Sequence, residues 1–411
     1  MSDRDGSVWF VIVRYRYRAY PTGDQQMMLA RTLGCVRVVF NDALQARQDA
    51  RTAGVKITDT EVQRLVVTLA KATPERAWLG EVASVALVQA CQDARRAYRN
   101  FFDSVAGKRK GRRVGEPRFR SRKDNRQSIR LTRNGFGVTD RGVRLAKIGD
   151  VKLEWSRNLP SAPSSATVVR EADGRYFVSF VVEVLETPLT PSSTVAGIDL
   201  GLTDLAVIVR SDGTREKIPA PRHLRAAERR IARGQRALAR KEKGSKNRGK
   251  ARHRLAVLHR KVRETRLDHH HKLAHRLVHD NQVIAVEDLA VSGLARTRLA
   301  KSVHDAGWAT LVRLLEEKAD RCGRTVTKID RWFPSTRACS QCGVVGDKKP
   351  LHVRAWTCGC GAHLDRDYNA AVNILDAAGL AESLNACGAD VRLRLAGAVS
   401  VEAGTHRTEA V

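Results

Sequence analysis

Acidic residues, long apolar runs and dispersed cysteines are all scarce in this sequence. Asp and Glu number 44 against 74 Lys and Arg, a formal net charge of +30. So large a deficit of negative charge points to a polyanionic partner. No apolar run approaches the ~18 residues that cross a bilayer, and the opening MSDRDGSVWF has no secretory pattern. A membrane partner is therefore the weaker expectation, and a cytoplasmic location follows by default. Four of the eight cysteines crowd between Cys339 and Cys360, and such clustering favours metal over disulfides. A chain of 411 residues suggests about two or three domains.

The N-terminal part mixes strand and helix signals. WFVIVRYRYRAY, ending at Tyr20, alternates Arg14, Arg16 and Arg18 with Tyr15, Tyr17 and Ala19. That period of two predicts a strand with one basic face, turned to phosphate or simply solvated. Pro21 stops it. Thr22 to Gln25 and Thr58 to Glu61 are capping-box starts. The first predicts a helix to about Gly34, with a second helix through Asn41 and Leu44. After the other box, Val62, Leu65, Val66 and Leu69 fall at helical spacing, and a further helix is expected over Glu81 to Asp103. These make a helical block, read as a plain bundle or as a helix-turn-helix DNA reader.

KRKGRRVGEPRFRSRK follows, with Lys108, Arg109, Lys110, Arg112, Arg113, Arg118, Arg120, Arg122 and Lys123 between helix-breaking Gly and Pro. It reads as a flexible linker that can also bind phosphate. Short alternating strands around 128–131, 142–145, 151–154, 167–170 and 176–184 are separated by turns such as Arg133-Asn-Gly135, which suits an antiparallel barrel. The strand ending at Tyr20 could complete that barrel, making the helical block an insertion.

Acids stand where acids are costly. VAGIDL and VIAVEDL read as central strands covered on both faces, yet they carry Asp199 and the pair Glu287, Asp288. LDRDYNAAVNIL places Asp365 and Asp367 at the start of an amphipathic helix, where an acid is otherwise an ordinary N-cap. One acid from each stretch could share a site. Two divalent cations held roughly 3.5–4 Å apart by carboxylates would activate a water and stabilise the leaving oxygen of a phosphodiester. Hard oxygen ligands favour Mg²⁺ or Mn²⁺. Gly201, beside the first acid, is either a turn glycine or an opening for a nucleic-acid backbone.

Two basic helices are expected over Arg222 to Lys243 and Lys250 to Asn281, joined by a flexible Gly244 to Gly249. Arg229, Arg230, Lys246 and Lys250 would contribute to a phosphate-binding surface. His271, His275 and His279 recur at helical spacing, but without an acid or cysteine beside them they read as a polar face, not a metal site. A helix over Ala306 to Cys322 and a strand over Thr325 to Asp330 return the chain to the acid-bearing domain. Trp332-Phe-Pro334 reads as packing, with stacking on a base as the lesser alternative. Cys339-Ser-Gln-Cys342-Gly and Cys358-Gly-Cys360-Gly read as a zinc ribbon, four thiolates on two knuckles, with the second pair C-x-C where C-x-x-C is commoner. Cys35, Cys91, Cys322 and Cys387 read as isolated small hydrophobes.

The order of these pieces, from GIDLGLTDLAV through VIAVEDL and DRWFPSTRACSQCG to CGCGAHLDRDYNAAVNIL, resembles the TnpB proteins of insertion sequences, which are similar to the compact ancestors of type V CRISPR effectors. The resemblance covers about Arg14 to Gly379. It implies an α+β multidomain protein: a RuvC-like nuclease domain of the RNase H fold with a zinc-ribbon insertion, plus an N-terminal β-barrel interrupted by a helical block. It also implies an RNA-guided DNA endonuclease, dependent on Mg²⁺ (or Mn²⁺), with Asp199, Glu287 and Asp367 as the three acids and Cys339, Cys342, Cys358 and Cys360 as zinc ligands. It prefers Glu287 to Asp288 and Asp367 to Asp365.

Expected partners are a guide RNA from the transposon end and double-stranded target DNA, with no membrane and no small-molecule substrate, in a bacterial, nucleoid-associated setting. Expected domains are the wedge-like barrel at 1–20 and 115–190, a helical recognition block at 21–114, the nuclease domain at 194–335 and 363–380, the ribbon at 336–362, and a disordered tail at 381–411. Rival expectations are a transposase performing strand transfer and a guided DNA-binding repressor without nuclease chemistry.

Overall fold

The computed structural model describes residues 10–109, 111–123, 127–185, 188–350 and 352–379. Lys110, Cys387 and the expected tail at 381–411 lie outside the described residues. The chain forms two compact units, one within Met1–Glu186 and Ala237–Val257, the other within Thr187–Arg236 and Leu258–Val411. The stretch 237–257, expected inside the nuclease span, groups with the first unit.

In the first unit β1 (Phe10–Tyr20) leads into α1 (Gly23–Thr52), α2 (Asp59–Gln63) and α3 (Ser84–Val105). Both capping boxes form: Thr22 with Gln25 starts α1, and Thr58 with Glu61 starts α2. One expectation is corrected here. Instead of two helices meeting at Gly34, α1 runs unbroken for 30 residues. An interior glycine costs only about 1 kcal/mol, and the buried Leu29, Leu33, Val36, Val39, Phe40 and Leu44 on one face outweigh it.

The remaining strands are β2 (Gln127–Thr132), β3 (Phe136–Thr139), β4 (Gly142–Leu145), β5 (Gly149–Glu154), β6 (Ser165–Arg170) and β7 (Tyr176–Leu185). They join β1 in a seven-stranded antiparallel sheet of order β2-β6-β7-β1-β5-β4-β3. Its end strands β2 and β3 are consecutive, joined by the single turn Arg133–Gly135. So short a link requires the sheet to curl back on itself, nearly closing a barrel. Along β1, Tyr17 and Ala19 are buried while Arg14 and Arg16 are exposed and Arg18 is half-buried. Tyr17 meets Trp155 edge-on at 4.7 Å, inside a core that continues onto α1 and α3.

In the second unit β8 (Val195–Asp199), β9 (Asp204–Arg210) and β10 (Arg215–Pro219) form an antiparallel meander. Helices α4 (His223–Ala239) and α5 (Lys246–Asp280) follow, their ends within 237–257 grouping with the first unit; α5 begins inside the stretch expected to be a flexible connector. Then come β11 (Val283–Glu287), α6 (Val291–Leu294), α7 (Ala300–Ala306), α8 (Trp308–Cys322) and β12 (Thr325–Ile329). The five strands make one sheet of order β10-β9-β8-β11-β12, in which β11 is parallel to both β8 and β12.

The unit ends with the small hairpin β13 (Ala355–Thr357) and β14 (His363–Asp365), then α9 (Arg366–Ala377). Helix α9 lies so close on β8 that a Cβ on Gly197 would stand 2.3 Å from the Ala371 carbonyl oxygen, so only glycine fits there. No helix among the described residues is long and apolar enough to cross a membrane.

Candidate active site and metal centre

Strands β8 and β11 pair in parallel, with Val286 opposite Ile198. One residue further on, each strand ends in an acid, Asp199 on β8 and Glu287 on β11. Helix α9 packs on β8, β9 and β11 and carries Asp367 in its first turn. The carboxyl ends of adjacent parallel strands are where open α/β sheets place their ligands.

Burial, then the neighbouring charges of Glu287 and Asp367, push the Asp199 carboxyl up to about 7, against a smaller opposing pull from Arg366. Burial also raises Glu287, partly offset by the Ser335 hydroxyl, which donates to its Oε1. Asp367 is more open and faces Arg354, whose Nη1 lies 3.5 Å from both carboxylate oxygens. The other arm of Arg354 donates to Thr203 Oγ1 at 3.1 Å.

The two rival acids are otherwise engaged. Asp365 is the N-cap of α9: its Oδ1 accepts the backbone N–H groups of Asp367 and Tyr368, both at 3.0 Å. Its Oδ2 accepts from Lys217 Nζ at 2.7 Å. Asp288 is gripped by Arg331, with Nε at 3.1 Å and Nη2 also donating. At Gly201 a Cβ would lie 2.6 Å from the Asp204 carbonyl oxygen, so the local backbone alone leaves room only for glycine.

The acids answer one test for a divalent cation. Three hard oxygen donors come from separate elements, and the charge they share raises Asp199, a repulsion that a bound cation would relieve. Among the described residues, the group drawn to direct ligand spacing is instead the four cysteines, Cys339, Cys342, Cys358 and Cys360, whose sulfurs all lie within 4.8 Å of one another. The Sγ pairs Cys339–Cys360 and Cys342–Cys358 are 3.8 and 3.6 Å apart. A tetrahedron with Zn–S bonds of about 2.3 Å has S···S edges of about 3.8 Å, so these thiols fit zinc.

The knuckles turn on Gly343 at φ 76° and Gly361 at φ 88°, and the C-x-C pair reaches the cluster as well as the C-x-x-C pair does. The backbone N–H of Cys360 and the neighbouring thiols draw the Cys358 thiol down while the same sulfur contacts push Cys342 up, so the four sulfurs titrate as one group.

Two asparagines of α9 hold the chain between these centres. Asn373 Nδ2 donates to the carbonyl oxygens of Ser335 and Ala338 at 2.7 and 2.8 Å, and Asn369 Oδ1 accepts from Ser340 N–H at 2.9 Å. The segment carrying Ser335 thus runs from the Glu287 carboxylate to the first knuckle. Ser335, Arg354 and Lys217 escaped the sequence reading, because each acts across a long gap in sequence.

The expected phosphate-binding cations divide into two groups. Arg14, Lys108, Arg109, Arg112, Arg113, Arg118, Arg122, Lys123, Arg229, Arg230, Lys246 and Lys250 are exposed. Arg120 is engaged internally, stacked over Phe40 at 3.7 Å, paired with Asp93 at 3.2 Å, and taking Asn41 Oδ1 on its backbone N–H. Arg16 pairs with Glu171 at 2.7 Å and lies 3.7 Å over Phe177; Arg18 also faces Phe177, at 5.2 Å. His271, His275 and His279 are exposed on α5, and none joins a metal-competent group among the described residues.

Three family models match the chain: one described as "Probable transposase" over residues 179–298, a "Cas12f1-like, TNB domain" over 308–374, and a "Helix-turn-helix domain" over 11–56. The last covers one strand and one unbroken helix in this structure. A Streptomyces pristinaespiralis protein named "Putative RNA-guided DNA endonuclease" is 43% identical over 92% of this chain and 91% of its own length. An Escherichia coli (strain K12) protein, "Putative RNA-guided DNA endonuclease InsQ", is 30% identical over 91% of this chain and 93% of its own. The solved Cas12f1–sgRNA–target DNA complex has a chain that superposes with a TM-score of 0.55 at 12% identity, over 89% of this chain and 98% of that one, a likeness of fold. Similarity of that extent to the curated relatives, over nearly the whole of each chain, establishes that the protein belongs to the TnpB family of insertion-sequence proteins.

Proposed function

We propose that the protein is an RNA-guided DNA endonuclease of an insertion sequence, cutting target DNA beside a short flanking motif. The observation that carries the chemistry is the placement of Asp199 and Glu287 at the ends of neighbouring parallel strands, with Asp367 in the first turn of the helix packed on those strands. The sheet supports a RuvC-like domain of the RNase H fold: a three-strand meander extended by two parallel strands, with the acids at the ends of β8 and β11 and the start of α9. Asp199, Glu287 and Asp367 would hold Mg²⁺ or Mn²⁺, which supplies an activated water and charge stabilisation for phosphodiester hydrolysis.

Ser335 orients Glu287, and Arg354 restrains Asp367 from the side. Cys339, Cys342, Cys358 and Cys360 would hold a structural zinc, since four thiolates leave no open position. The relatives' names support the guide and the DNA target. In such a division of labour base pairing reads sequence, while the protein reads duplex shape and a flanking motif. The guide would come from the transposon end and lie, with the target, along the exposed basic residues.

The test is cleavage of a plasmid library with a guide-matched target beside randomised flanking bases, the protein being co-expressed with the DNA downstream of its gene. Mg²⁺-dependent, guide-dependent cuts at one enriched flank are expected, and Asp199→Ala should abolish cutting while RNA stays bound. Guided binding without cuts in the parent would make it a repressor. Joined transposon ends formed without a guide would make it a strand-transferring transposase.

A further inference from the structure

The tryptophan expected to pack does not. Of the five tryptophans in the described residues, Trp308 and Trp356 are buried and Trp78 and Trp155 half-buried, whereas Trp332 is 85% exposed. Its neighbour Phe333 does pack, against a small core of Ala285, Ile329 and Ile374. The segment is nonetheless fixed around the indole. Asp330 Oδ1 accepts the Trp332 N–H at 2.7 Å, and the Asp330 carbonyl accepts from Phe333 N–H at 3.2 Å. Arg331 clasps Asp288 on one side of Trp332, and Ser335 donates to Glu287 on the other. The turn is thus anchored to Glu287 and Asp288 through residues on either side of Trp332, and it leaves the indole in water.

We infer that Trp332 is a stacking platform for an unpaired base of the DNA strand whose backbone enters the carboxylate cluster, an inference that rests on the nuclease reading above. Every base presents a π-face, so one aromatic side chain can grip a strand without regard to sequence. An indole brings large contact area at low entropic cost. The partner's chemistry follows from the setting, since the turn borders acids suited to phosphodiester cleavage in a chain of net charge +30.

The experiment uses the full chain carrying Asp199→Ala, purified with the RNA it acquires on co-expression with its flanking DNA. The probes are single-stranded DNAs with 2-aminopurine at successive positions. Stacking on Trp332 should quench fluorescence at one or two adjacent positions. Trp332→Ala should abolish that quench and weaken binding roughly 5- to 100-fold, with an unchanged thermal transition, and Trp332→Tyr should restore both. Equal quenching in Trp332→Ala, or no position-dependent quench in the parent, overturns the inference, as does unchanged oligonucleotide binding in Trp332→Ala. Cutting with Asp199 restored is scored separately. Cleavage without the quench defeats the stacking role alone, and a quench without cleavage defeats the nuclease reading alone.

Discussion

His270 lies on the buried side of α5, 1% exposed, near the rings of His269 and His223 and the side chain of Arg266. Burial comes first among the causes that bring its pKa down to about 4. A base with a depressed folded pKa stays neutral in the fold while the unfolded chain takes up a proton near 6.5. Its contribution is thus complete above pH 6.5 and is lost as pH falls from there towards 4. Between pH 7.5 and 5 the parent should lose roughly 2 kcal/mol more stability than His270→Leu, measured as the difference between their urea-unfolding free energies at the two pH values. Equal losses would mean that the ring takes up its proton as readily in the fold as in the unfolded chain.

At this same scale, the strand-end positions of Asp199 and of the Glu287–Asp288 pair were legible because an acid inside an apolar strand contradicts its surroundings, but the pattern left the choice within that pair open. The choice between Asp365 and Asp367 was not legible from pattern. Either acid serves a helix start, and what separates them is Lys217, on a strand too charged to read as one. The packing preference for Trp332 failed because exposure depends on what the fold brings near a side chain.

Among the elements, the cysteine ribbon makes the firmest prediction. Its core is little more than Cys339, Trp356 and Leu364, too little apolar burial for two short strands and two knuckles to hold themselves. Cys342→Ser should lower zinc content per chain, measured by plasma mass spectrometry, and lower the temperature at which the ribbon unfolds. The affinity loss should be at least the 10–100-fold that follows removal of an outer-shell partner. Unchanged zinc content would sink the assignment.

Element ends with a local chemical cause were readable: both capping boxes form where Thr22 and Thr58 announce them. Continuity was not. Gly34 and the Gly244 to Gly249 stretch look like breaks, but tertiary packing carries α1 through the first, and α5 starts inside the second. Strand β10 is an edge strand ending in Pro219, where neither alternation nor apolar content is demanded.

For the molecule as a whole, the excess positive charge fixes how its binding responds to salt. Each neutralised phosphate contributes about −0.9 to the slope of log K against log salt for duplex DNA. Arg112→Ala with Arg113→Ala removes two exposed cations and should flatten that slope by about 2 in filter-binding titrations on non-matching duplex. Arg120→Ala should leave the slope unchanged and lower the thermal transition instead, because Arg120 is engaged with Phe40 and Asp93. A flattened slope for Arg120→Ala would return it to the nucleic-acid surface. Composition made the charge legible from the start, but a count cannot distinguish an arginine that faces solvent from one that staples a helix.

The placement of Asp367 on α9 also sets an order in time. A ribosome making about 5–20 residues per second needs roughly 4–16 s to travel from Glu287 to Asp367. Throughout that interval the nascent chain holds two of the three acids and lacks the helix that lies on β8 and β9. A product broken off anywhere in it carries the exposed basic residues without Asp367, so on the proposed assignment premature termination should yield a chain that cannot cut nucleic acid.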